Sequence, residues 1–98
     1  MSYAQTLREH RRAAILRHLE QSGDYTSNAA ILADVLNGIG IATTRDQAIG
    51  ELAWLQEQGL ASLTDHGDFT VVTATQRGVE TAQGVAIHPG VPRPRPGA

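Results

Sequence analysis

Cysteine and lysine are both absent from this sequence of 98 residues, and aromatic residues make up only 4% of it. Without cysteine the chain has no disulfide framework, no thiolate metal site and no cysteine nucleophile. Its basic residues are eight arginines, which ten acidic residues outnumber. Apolar residues account for 41% of the chain. That fraction is enough for one core, so we expect a single small domain.

Several functional classes also lack their sequence signals. No apolar run approaches the ~20 residues needed to span a bilayer, and residues 1–6 lack the apolar stretch of a signal peptide. We therefore expect a soluble, cytoplasmic protein with no membrane contact. The four histidines show no short ligand spacing, so we expect no metal. We find no nucleophile with a base, no carboxylate pair and no phosphate loop, and we expect neither catalysis nor a cofactor.

Hydrophobic spacing predicts two helices in the first 38 residues. The first covers residues 4–21 and is ended by Gly23 and Asp24. The second begins after an N-cap at Ser27 or Asn28 and runs to about residue 36. Its predicted buried side consists of Ile31, Leu32, Val35 and Leu36.

A third helix and a β-hairpin follow. Thr43 or Thr44 is the expected N-cap of the third helix, and Gly59 ends it. Its predicted inner stripe consists of Ala48, Ile49, Leu52 and Leu55. Residues 60–64 and 69–73 are strand-like and flank a four-residue turn that contains glycine, which predicts a hairpin.

The end of the chain contains a short helix and a tail. The fourth helix is expected to begin at Thr75 and to end at Gly84, with Val79 and Ala82 facing inward. All four prolines lie in the last ten residues. We therefore expect a folded domain over residues 1–84 and a disordered Pro/Arg-rich tail over residues 85–98. The tail is either without a role, or an extended ligand for a partner or a short arm for DNA.

The predicted fold class is α+β, mainly α with a small β-hairpin. The predicted order of elements, α-α-α-β-β-α, is that of a winged helix-turn-helix. Three segments resemble ArsR/MarR-type winged-helix proteins. They are the R-x-x-I-L-x-x-L of residues 12–19, the L-x-x-L-x-x-x-G-L of residues 52–60 and the V-x-x-T-x-x-G of residues 72–78. This resemblance implies a third helix that reads DNA, a hairpin that serves as the wing, and a homodimer formed through the first and last helices.

A closer resemblance is to small winged-helix proteins of Mu-like phages and prophages. It rests on Thr44-Arg45-Asp46-Gln47, on Glu51-Leu52-Ala53-Trp54-Leu55, on Arg77-Gly78 and on the ending 85–94. The ArsR-like label that such proteins sometimes carry follows from fold, so it implies little about function.

Duplex DNA is the first candidate partner. The protein would then be a transcription-regulatory module that reads DNA with the start of its third helix. There Arg45 could pair with a guanine edge or a phosphate, and Gln47 with an adenine. The full set of candidate DNA contacts is Thr43, Thr44, Arg45, Gln47, Ala48, Glu51 and, on the wing, His66. The charge balance opposes this hypothesis, because residues 1–84 hold ten acidic residues and six arginines, a formal charge of −4. Arg45 could instead only pair with Asp46 or Glu51.

A phage or host protein is the alternative partner, bound by a winged helix with little or no DNA binding. Trp54 falls outside the predicted inner stripe of its helix, where tryptophan suits an interface. The same side chain could also be core, folded under the first helix or the hairpin. The candidate interface residues are Trp54, Arg8, Arg11 and Arg12. The three arginines form the basic cluster of the first helix, which could equally be a solvated helix face.

Overall fold

The computed structural model describes residues 2–94, in which four helices pack with a small three-stranded antiparallel sheet. The helices are α1 (Tyr3–Gln21), α2 (Ala29–Gly38), α3 (Arg45–Glu57) and α4 (Gln76–Gln83). The strands are β1 (Thr26–Asn28), β2 (Ala61–Asp65) and β3 (Thr70–Ala74), and a short 3-10 turn (Gly23–Tyr25) precedes β1. The α+β class is as expected.

The expected element order is wrong at one place, because β1 stands between α1 and α2. This strand pairs antiparallel with β3, in the register Thr26↔Thr73 and Asn28↔Val71, so that β3 lies between β1 and β2. The hydroxyl oxygens of Thr26 and Thr73 lie 3.0 Å apart. The three residues of β1 are all polar, so they lack the alternation of apolar and polar side chains that predicts a strand. They form a strand here because β3 offers them a free edge.

Side-chain caps set the starts of the helices and decide two open alternatives. Asn28 accepts a hydrogen bond from the Ile31 amide at 2.8 Å, so Asn28 and not Ser27 is the cap of α2. Thr44 and not Thr43 is the cap of α3. At α4 the hydroxyl of Thr75 accepts from the Gly78 amide and donates to the Gly59 carbonyl. Thr75 thereby fixes α4 to the end of α3.

The core lies between α1, α2, α3 and the inner face of the hairpin. Its fully buried side chains are Ile15, Leu16, Leu19, Leu32, Leu36, Leu52, Leu55, Leu60 and Val72. Two predicted core positions are wrong, since Ile31 is 47% and Ile49 is 44% exposed. In α3 the place that was expected for Ile49 is taken by Glu51, which is buried together with Ala48, Leu52 and Leu55.

The chain after α4 packs on the domain instead of leaving it. Gly84 ends α4 at a φ of +81°, and Val91 is 9% exposed within the core cluster. The expectation of disorder from residue 85 is therefore wrong for the segment around Val91, because this apolar side chain gains burial against the domain. Residues 95–98 of the expected tail lie outside the described residues.

Candidate interaction surfaces

The start of α3 is closed by a capping box. The Thr44 hydroxyl accepts a hydrogen bond from the Gln47 amide at 3.1 Å, and the Gln47 side-chain oxygen accepts one from the Thr44 amide at 2.9 Å. Two of the free amides at the helix start are thereby satisfied internally. Thr44 and Gln47 are thus already engaged where a DNA phosphate or base would have to meet them.

Arg11 ties the connector before α3 to α1. Its guanidinium donates to the Thr43 hydroxyl at 3.2 Å, to the Ala42 carbonyl at 3.1 Å and to the Gln47 side-chain oxygen at 3.4 Å. Arg11 is only 5% exposed, and each of its bonds is assisted by charge. This arginine holds α3 in place and is not available to a partner.

Arg12 forms a second link between α1 and α3. Its Nε lies 2.8 Å from a carboxylate oxygen of Glu51, in a pair whose side chains are 12% and 7% exposed. The same guanidinium lies 3.9 Å from the centre of the Trp54 ring and donates to the Gly90 carbonyl at 3.2 Å. Glu51 can be buried because Arg12 neutralises it.

Trp54 joins this cluster to the C-terminal segment. His88 meets the indole edge-on with ring centres 5.5 Å apart. At Gly90 an added Cβ would come 2.9 Å from the Trp54 ring, so the backbone of the segment lies directly on the indole. Trp54 is half-buried and packs against the core. Arg12, His88 and Gly90 cover part of the Trp54 ring, and Trp54 as an interface anchor stays a prediction.

The predicted DNA contacts fall into three groups. Ala48 and Glu51 are buried at 1% and 6% exposure, so their assignment as contacts is wrong. Three more already have hydrogen-bond partners within the domain, namely Thr43, Thr44 and Gln47. Arg45 and His66 are exposed, and the His66 ring stacks on Phe69. Of the predicted interface arginines, Arg8 is exposed, whereas Arg11 and Arg12 make the internal contacts given above.

The exposed side of α3 carries small, apolar and acidic residues. Helical spacing places five exposed residues on this outer face of α3: Asp46, Ile49, Gly50, Ala53 and Glu57. The hairpin tip, residues 65–69, adds the exposed Asp65 and Asp68. We call the two regions together the α3–hairpin face. Arg45 is the one arginine in residues 45–70, so the face carries an excess of negative charge.

The outer side of α1 is a second exposed surface. A groove of about 1190 Å³ runs along it and is bordered by half-buried or exposed residues of the α2–α3 connector and of α4, among them Ile39, Ile41 and Ala82. A homodimer formed through the first and last helices would use this surface. Dimerisation stays a prediction, which sedimentation of the chain over a range of concentrations would measure.

Neither a membrane-spanning helix nor a metal-binding cluster is found within residues 2–94. In that range no helix combines the length and apolar character needed to cross a bilayer. The same residues contain no cluster of three or more histidine and acidic side chains suited to a metal ion.

Sequence reasoning missed the residues that lock α3 to α1. Arg12 and Glu51 lie 39 positions apart, so nothing local connects them. One signal was available: Glu51 stands between Ala48 and Leu52 on a helix whose buried residues follow a period of 3.6. A charge at such a position indicates a buried partner.

Two relatives match most of this chain. One is named "Uncharacterized protein gp26", from Escherichia phage Mu, and is 42% identical over 92 residues, 94% of this chain and 95% of that protein. The other is named "Uncharacterized protein", from Haemophilus influenzae, and is 35% identical over 78 residues, 79% of this chain and 76% of that protein. No protein-family model and no solved structure matches the chain. The extent and identity of the first match mean that the chain belongs to the family of the Mu phage protein gp26.

Proposed function

We propose that this protein is a winged-helix module of Mu-like phages and prophages, and that its α3–hairpin face binds a protein partner and not duplex DNA. The winged-helix part is supported by the order of α2, α3 and the β2–β3 hairpin, and by the three motifs that resemble ArsR/MarR-type proteins. The choice of partner rests on one observation, the charge of the α3–hairpin face.

That face has the wrong sign for a polyanion. Its exposed carboxylates are Asp46, Glu57, Asp65 and Asp68, and Arg45 is the arginine beside them. Neutralisation of phosphates by Lys and Arg supplies most of the non-specific affinity for DNA. An acidic surface repels the duplex before any base can be read, and it lowers both the association rate and the affinity.

The same face has features of a protein-binding surface. Ile49 exposes 44% of its surface and Phe69 51%. Gly50 and Ala53 are small, so another backbone can approach α3 closely. Apolar contact area with charges around it is the usual composition of a protein interface.

Selection from a library of randomised duplexes at low salt tests this proposal. We expect that no sequence is enriched and that Arg45→Ala leaves the background recovery unchanged, because a single arginine does not offset the nearby carboxylates. Arg8→Ala, which removes an exposed arginine from a different helix, is the matched control. Enrichment of one motif that is lost in Arg45→Ala and kept in Arg8→Ala would show that the face reads DNA.

A further inference from the structure

The β2 strand has a free edge. Because β3 lies between β1 and β2, only one side of β2 is paired within the sheet. One backbone hydrogen bond lies at each end of the β2–β3 ladder. The His66 amide donates to the Phe69 carbonyl, and the Thr75 amide donates to the Leu60 carbonyl. In the antiparallel register that runs from Ala61↔Ala74 to Asp65↔Thr70, these two bonds mean that the even-numbered residues of β2 bond to β3. The amides and carbonyls of Ala61, Leu63 and Asp65 therefore point away from β3.

A glutamine of α3 covers one of these outward groups. The side-chain oxygen of Gln56 accepts a hydrogen bond from the Leu63 amide at 2.9 Å, and this contact is exposed. An exposed side chain is easily displaced, since its bond with the amide competes with water. Unpaired backbone groups along an edge form a template onto which another strand can add.

A small groove adjoins this edge. It has a volume of about 400 Å³ and lies between α3, the start of α2 and the inner face of the hairpin. Its lining residues are Ala29, Ile49, Leu52, Gln56, Leu63, Asp65 and Thr70. A groove of this size takes one or two side chains and is too small for a helix, which is about 10 Å across.

We propose that an extended, basic segment of a protein partner pairs with the free edge of β2 at Leu63 and Asp65. Alternate side chains of that segment face α3: an apolar one enters the groove beside Ile49, and a Lys or Arg two positions along meets Asp65, because Leu63 and Asp65 lie on the same face of β2. Main-chain bonds supply affinity in such strand addition, and the groove supplies specificity. This inference rests on the proposed function.

Selection from a displayed library of random peptides, followed by N-methylation of the enriched peptide, tests the pairing. We expect peptides in which an apolar residue and a Lys or Arg stand two positions apart, since Leu63 and Asp65 lie on the same face of β2. N-methylation at every second peptide amide should weaken binding about tenfold or more, which is the loss of roughly 1.4 kcal/mol, and methylation of the amides between them should have little effect. An enriched peptide with helical spacing, equal effects of all methyl groups, or no enrichment would each overturn the strand pairing.

Charge reversal on the protein supplies the second arm of the test. Asp65→Arg should lower the affinity for the selected peptide about tenfold or more, because it replaces a close attraction between opposite charges by repulsion. Asp34→Arg reverses an exposed aspartate of α2 that does not line the groove, and it should leave binding unchanged. Equal effects of the two variants would contradict the site. Specific duplex binding would overturn the proposed function as well, whereas a peptide bound as a helix would overturn only the strand pairing.

Discussion

Replacement of Arg12 by alanine should lower the free energy of unfolding by about 3–5 kcal/mol, the usual cost of breaking a buried ion pair from one side. The change leaves the Glu51 carboxylate, 7% exposed, without its partner at 2.8 Å. It also removes the cation from the face of Trp54 and the donor to the Gly90 carbonyl. Urea denaturation, followed by circular dichroism at one fixed protein concentration, measures the loss.

Two further variants show whether burial of the pair is the cause. Arg8→Ala removes an exposed arginine from the same helix and should change the stability by less than about 0.5 kcal/mol. The double variant Arg12→Leu/Glu51→Leu removes both charges, so it should regain much of the loss, because no unpaired charge stays buried. The account of this cluster fails if Arg12→Ala is as stable as the parent protein or if the double variant is less stable than the single one.

Replacement of Gly78 by alanine should destabilise the fold by about 3 kcal/mol or more, through overpacking against backbone. Gly78 lies in the first turn of α4, where an added Cβ would overlap the carbonyl oxygen of Leu60 and come 3.0 Å from its carbon. The Leu60 carbonyl also accepts the Thr75 amide at 3.0 Å. The two Leu60 atoms that the added Cβ would meet both belong to the backbone, so turning a side chain cannot relieve the overlap.

Gly50→Ala is the matched control in α3. This glycine is also helical, but an added Cβ would meet nothing within 4 Å. Alanine should therefore stabilise the protein there by roughly 0.5–1 kcal/mol, the difference in helix propensity. Thermal or urea unfolding of the two variants should show shifts of opposite sign. Stabilisation by Gly78→Ala would mean that α4 does not pack against the end of α3 in this way.

The sequence predicts helices and hairpin where periodicity and caps agree. Thr44 and Thr75 precede their helices, and Gly59 and Gly84 follow them at positive φ. Apolar spacing located the centre of α3 at Ala48, Leu52 and Leu55. It failed at Ile49 because sequence reasoning places charged residues outside. The helix is rotated so that Glu51 can meet Arg12, and that rotation leaves Ile49 exposed.

The candidate site was less predictable than the fold for the same physical reason. Whether Gln47 reads DNA or caps a helix, and whether Trp54 meets a partner or Arg12, depends on contacts between distant parts of the chain. The C-terminal segment shows the same limit. Its prolines favour an extended backbone, but the segment turns where the Val91 amide donates to the His88 carbonyl at 3.2 Å. Gly90 there lies against Arg12 and Trp54, on a surface that α1 and α3 create together.

The proposal that the α3–hairpin face avoids DNA is tested most directly by the fluorescence anisotropy of a labelled duplex, titrated with the protein at low salt and again as salt is raised. We predict no saturable binding by the parent protein. Asp65→Arg/Asp68→Arg should gain salt-sensitive binding, because two carboxylates at the hairpin tip become phosphate contacts. Tight binding by the parent protein that weakens steeply with salt would contradict the account.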